Sequence, residues 1–213
     1  MNTTDVEVKG FIRSFDDLYM YAKEQFLMYE KLEGIDDWEA YDFCIDCPED
    51  QAKFKDMLQI RFIEELTEAT KTLDNVEHLK EELTDALNFF LSAFVMVGAD
   101  FSNLPKPESM LPPYYSLESG RDFGRGKFED ITDVWSETYR VIEAVGYLCN
   151  LLKNRPWAQS NYLVSMLDFN KRLLSLWCNF WRYLFIWGLD KNTIFEMFER
   201  KFEVNCFRVE TGY

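Results

Sequence analysis

The sequence predicts an all-α fold, a helical bundle of about six helices with a long loop insertion, forming a single domain over residues 1–213. Three observations predict it. Apolar residues recur at spacings of three and four in six stretches. Capping residues stand ahead of several of these stretches, and glycines stand behind them. Strand signals are weak throughout.

Ser14 can cap a first helix of about residues 15–32, which Gly34 ends. Residues 35–48 read as a loop that ends in Pro48. A second helix runs from about Glu49 to Leu73 by its periodicity. Asn75 can cap a third helix that continues to Gly98. A long irregular segment follows, with Pro105, Pro107, Pro112, Pro113, Gly120, Gly124 and Gly126; loops of this length in compact domains are often functional. A fourth helix spans roughly 129–153 before Pro156 breaks the pattern, and a very apolar fifth spans about 160–187 and ends at Gly188. Asp190 can cap a sixth, which carries Ile194, Phe195, Phe198 and Phe202.

Composition narrows the function. The chain is 47% hydrophobic and 17% aromatic, enough for a sizeable core, and its formal charge is -15. That charge repels duplex DNA, RNA and anionic membranes, so neither a nucleic acid nor a membrane is expected as partner. The N-terminus is polar and acidic, with no secretory signal. The most apolar stretch, Leu173 to Leu189, contains Asn179 and Arg182 and reads as core rather than as a membrane span. Five cysteines suit reduced thiols in a cytoplasmic compartment. Cys44 and Cys47 form one CxxC, but His78 is the only histidine, so chance spacing in a loop is preferred to a zinc site.

The chemistry is carried by acids on the second and third helices. Leu58, Phe62, Leu66, Ala69 and Leu73 form an apolar stripe on the second helix. Glu65 falls inside this stripe, Glu68 on its flank and Glu64 further round. On the third helix, Leu79, Leu83, Ala86, Phe90, Phe94 and Val97 form the stripe, with Glu82 and Asp85 on one flank. The short connection makes the two helices antiparallel neighbours, so two pairs of acids can converge. Carboxylates converging in a dry site need cations, and hard oxygen ligands favour magnesium, with manganese able to substitute. E-x-x-E is also common on solvated helix faces, and either pair alone is weak evidence. Near the C-terminus, Lys201, Asn205 and Arg208 share a helix face by their spacing. They can form a phosphate clamp, or simply a basic last turn that suits the helix dipole.

Glu65-x-x-Glu68 followed by Glu82-x-x-Asp85, and the ending Asn205-x-x-Arg208-x-x-x-Gly212-Tyr213, resemble the all-α NTP pyrophosphatase superfamily, in particular its dimeric dUTPase-like branch and the tailed-phage dCTP/dUTP pyrophosphatases. The matched blocks are residues 64–92 and 188–213. The resemblance implies magnesium-dependent hydrolysis of dUTP, dCTP or both to the monophosphate and pyrophosphate. It implies metal ligands and catalytic groups at Glu65, Glu68, Glu82 and Asp85, phosphate contacts from Lys201, Asn205, Arg208 and Tyr213, and a homodimer in the cytoplasm (of the host, if phage-encoded). Glu65, by its expected burial, is the candidate to orient or deprotonate the attacking water.

Two departures from the family pattern matter. Members that act on dUTP usually carry histidine where this chain has Asn88, which leaves the base preference open. Cellular members also continue past Gly-Tyr with residues that close over the substrate. Candidates for that closure here are Trp157 with Lys153 and Arg155, or the Gly120–Gly126 loop with Arg121, Arg125 and Lys127. Core packing for Trp157 and an ordinary surface loop are the plain alternatives. Gln25 on the first helix can touch the base, since similar proteins place a glutamine near there. The rival functions are a MazG-like pyrophosphatase with another base preference and a non-catalytic acidic helical binding protein such as a DNA mimic.

Overall fold

The structure is a computed structural model. It describes residues 7–32, 43–110, 131–152 and 165–212, with the backbone alone for 110 and 131–133. The fold is all-α, with no strands among the described residues. In chain order come α1 (Phe15–Leu32), α2 (Pro48–Lys55), a π-helical stretch (Asp56–Phe62), α3 (Ile63–Ala69), α4 (Val76–Met96), short 3-10 turns at Phe101–Asn103 and Pro107–Met110, α5 (Ile131–Leu151), α6 (Met166–Ile186) and α7 (Lys191–Thr211).

The expected caps form. Ser14 Oγ accepts from the Asp17 N–H at 3.1 Å, Asn75 Oδ1 from the His78 N–H at 3.2 Å, and Asp190 Oδ1 from the Thr193 N–H at 2.7 Å. Each satisfies a donor that the first helical turn leaves without an intrahelical partner. Gly98 and Gly188 follow α4 and α6 with φ of 64° and 83°, left-handed values that cost glycine nothing.

Three boundaries differ from expectation. The fifth helix was expected from about 160; α6 begins at Met166, because Ser165 is extended and its hydroxyl accepts from the Asp168 N–H. The third helix was expected to reach Gly98, and α4 ends at Met96. The second helix was expected to be one α-helix reaching Leu73. It stops at Ala69, where the Thr70 and Thr72 hydroxyls bond to the carbonyls of Thr67 and Ala69. Threonine competing for backbone carbonyls ends a helix readily.

That second helix also contains the π-helical stretch, and its own core residues explain why. Phe54, Leu58, Phe62 and Leu66 are all fully buried and stand four apart. An α-helix has 3.6 residues per turn, so a four-residue repeat drifts by roughly 40° each turn. Over three repeats a pure α-helix would swing one end of the row out of the core. The wider π turn, bonded i to i+5, keeps all four rows inward. It also brings Asp56 and Arg61, five apart, into an ion pair at 3.0 Å.

The core lies between α4 and the aromatic face of α6. Phe90 stacks near Phe180 and Trp177 (centroids 4.4 and 5.6 Å), Phe94 meets Trp177 at 5.0 Å, and Phe62 meets Phe180 edge-on at 5.0 Å. Trp177 is fully buried and its Nε1–H donates to the Pro105 carbonyl at 2.9 Å, so the indole has its polar partner. On α7, the buried Glu199 accepts from the backbone N–H groups of Lys9, Gly10, Phe11 and Ile12, and so ties the N-terminal stretch to that helix. The five cysteines are free; Cys44 and Cys47 lie on a turn at the start of α2, and the Cys47 thiol donates to Glu49. No single helix among the described residues is long and apolar enough to cross a membrane.

Candidate functional site

Helices α3 and α4 meet as antiparallel neighbours through the Thr70–Asn75 turn, which brings their acids together. Glu65, Glu68 and Glu82 each offer a carboxylate oxygen within 4.8 Å of the others. Glu82 is buried, Glu65 half-buried and Glu68 exposed, so the trio opens to solvent on the Glu68 side. Burial, a hydrogen bond with Glu82, and repulsion from Asp85, Glu82 and Glu68 push the Glu65 carboxyl up to about 8. A carboxyl raised this far marks a place where negative charge is concentrated and poorly hydrated. Three hard oxygen donors at this spacing fit a divalent cation such as magnesium. His78, the only histidine, places Nε2 at 2.7 Å from Glu82, one helical turn away on α4.

Asp85, the fourth expected ligand, is not part of this trio. Its two oxygens meet the Lys201 ammonium from α7 at 2.5 and 2.7 Å. Burial raises the Asp85 carboxyl, while Lys201 and Arg208 act to lower it. The structure thus joins two groups the sequence suggested separately, the acids of α3 and α4 and the basic face of α7.

Both groups border one cavity of about 720 Å³. Glu65, Asp85, Lys201, Asn205 and Arg208 line it, and so do Gln25 and Asn88. The two amides are the informative ones. Asn88 is only 8% exposed, yet neither its Nδ2 nor its Oδ1 has a hydrogen-bond partner, and the buried Oε1 of Gln25 has none either. Buried polar atoms in folded proteins are nearly always paired, so three such atoms along one cavity point to a polar guest.

The sequence reading missed several lining residues. Tyr29 stands one turn beyond Gln25 on α1, and its hydroxyl is raised by burial and lowered by Arg208. Lys53 reaches the cavity from α2, paired with the buried Glu30 at 2.7 Å. Arg61 comes from the π-helical stretch, its guanidinium 5.9 Å from the Phe89 ring. The i, i+4 steps from Gln25 to Tyr29 and from Arg61 to Glu65 were available signals for two of them. Nothing local marks Lys53. Tyr213, Trp157, Lys153, Arg155 and the Gly120–Gly126 loop lie outside the described residues.

Comparison of the chain with family models, with curated proteins and with solved structures found no match.

Proposed function

We propose that the protein hydrolyses a pyrimidine deoxynucleoside triphosphate, dUTP or dCTP, to the monophosphate and pyrophosphate, in the manner of the all-α NTP pyrophosphatases its motifs resemble. The observation that carries the reading is a single cavity lined by acids, by cations and by buried amide atoms without partners. A nucleotide combines the two kinds of group such a lining can meet, charged phosphates and a hydrogen-bonding base edge.

Glu65, Glu68 and Glu82, joined by Asp85, would hold magnesium. Bound there, it would supply positive charge against the phosphates and make a water more acidic. The chain's own groups do the rest. Glu65, half-buried beside Glu82, is the group placed to orient the attacking water or take its proton. Lys201 supplies a point charge and Arg208 a planar fork of donors to the phosphates, neutralising charge on the leaving pyrophosphate. Asn205 offers a further polar contact on the same helix face. The amides of Asn88 and Gln25 offer donors and acceptors to the base. In the resemblance Tyr213 adds a phosphate contact, a homodimer completes the assembly, and the reaction runs in the cytoplasm.

The test is pyrophosphate release from a panel of deoxynucleoside triphosphates, with magnesium and with EDTA. Release from dUTP or dCTP that stops in EDTA supports the reading. Release from purine nucleotides alone would move the protein to a MazG-like specificity. No release from any nucleotide, by protein shown to be folded, would leave an acidic helical binding protein as the better description. Glu82→Gln is expected to lower release about 100-fold or more, near 2.7 kcal/mol of barrier.

A further inference from the structure

The Lys201–Asp85 pair is arranged unlike a finished metal centre. The ammonium touches both carboxylate oxygens, at 2.5 and 2.7 Å, and both side chains are well covered, 15% and 24% exposed. An ammonium has three donors and no lone pair, so while it sits across both oxygens it takes one lone-pair site of each and competes with a cation for Asp85. The other three acids already share one point, and Asp85 stands outside it. Asp85 is freed to join them when Lys201 lets go.

Lys201 needs an acceptor to let go to. Its four-carbon stem is flexible, its charge is mostly covered, and leaving it unpaired would be costly. It lines the cavity together with Arg208 and Asn205. An anionic group entering beside those residues is an acceptor that would draw it off the carboxylate.

We propose that Lys201 is a positioning residue that holds Asp85 out of the metal-binding group until the triphosphate of the substrate takes over its ammonium. This rests on the hydrolase reading above and adds an order to it. Glu65, Glu68 and Glu82 form a weak three-carboxylate site without nucleotide, and the fourth carboxylate arrives with the substrate. Metal and nucleotide therefore bind with positive coupling, each strengthening the other by the same factor. The substrate itself completes the site.

The experiment measures manganese affinity by the loss of the free-ion paramagnetic resonance signal, with and without an α,β-imido analogue of dUTP, allowing for metal bound by free nucleotide. In wild type the analogue is expected to tighten manganese by about tenfold or more. Lys201→Met and Lys201→Gln, each checked for a native melting transition, should bind manganese more tightly than wild type without nucleotide, and their coupling should fall towards one. Asp85→Asn should match wild type without nucleotide and lose the coupling. Variants at Lys201 that bind manganese no better than wild type and keep its full coupling would overturn the proposal while leaving the hydrolase reading standing. Wild type that binds manganese in neither condition would overturn both.

Discussion

Helix α4 separates two environments that share one backbone. On one side Phe90 and Phe94 pack into fully buried rings from α6, where the Trp177 Nε1–H has its acceptor and the Trp181 Nε1 beside it is the buried polar atom without one. On the other side, within the same three turns, Asp85 and Asn88 face a cavity in which amide atoms lack partners and burial raises the carboxyls of Asp85 and Glu65, the latter to about 8. The first side lowers the free energy of the fold. The second raises it, because each buried polar group without a partner costs on the order of 1–3 kcal/mol. A cavity lined by buried amide atoms without partners is arranged for something that binds there.

The comparison is testable by substitutions on each side. The largest effect is expected at Phe90→Ala, which should lose about 3–5 kcal/mol in urea unfolding, by the cost of emptying an aromatic site in a packed core. A loss near that at Asn205, on the cavity side, would erase the distinction drawn here. Next is Glu199→Ala. Glu199 is as buried as Asn88 but fully satisfied by four backbone N–H groups, so its removal should cost about 3 kcal/mol in the same measurement.

Asn88→Leu should behave in the opposite sense. It replaces an unpartnered amide with an apolar group of similar size, so nucleotide-free protein should gain about 1 kcal/mol. Nucleotide affinity, followed by calorimetry, should weaken in the same variant. A variant that is destabilised would show that the amide has partners in solution.

The last test is a pH slope. The Glu65 carboxyl moves from 4.5 to about 8 on folding, so between those values the folded chain holds a proton that the unfolded chain has released. Its contribution to stability is present in full below pH 4.5 and is lost as pH rises through about 8. In EDTA, the melting temperature of wild type should therefore fall across this window more than that of Glu65→Gln. Equal slopes would remove Glu65 as the group responsible.

Much of the helical order was legible because its signals are local. Ser14, Asn75 and Asp190 cap helices through their own side chains, and Gly188 terminates one through its own φ. The acids Glu65, Glu68, Glu82 and Asp85 could be sorted from Glu64 and Glu81 by helical angle alone. The π-helical stretch was hidden, although the four-residue spacing of Phe54, Leu58, Phe62 and Leu66 contains its cause, because that spacing forces a wider turn only if all four residues must be buried at once. Lys53, Tyr29 and Arg61 were missed because their part in the cavity depends on where α1 and α2 pack, not on any pattern around them.

The sequence by itself determined the all-α class, most helix boundaries and the two local groups of charged residues, because capping, periodicity and helical angle act over a few residues. Only the tertiary structure decided that the two groups face each other. It set Lys201 on Asp85 rather than in open solvent, left the Asn88 amide and the Gln25 Oε1 without partners, and divided α4 between core and cavity. Those are long-range pairings, and they follow from how the aromatic core draws α4 and α6 together and leaves α1 and α7 to enclose the opposite side.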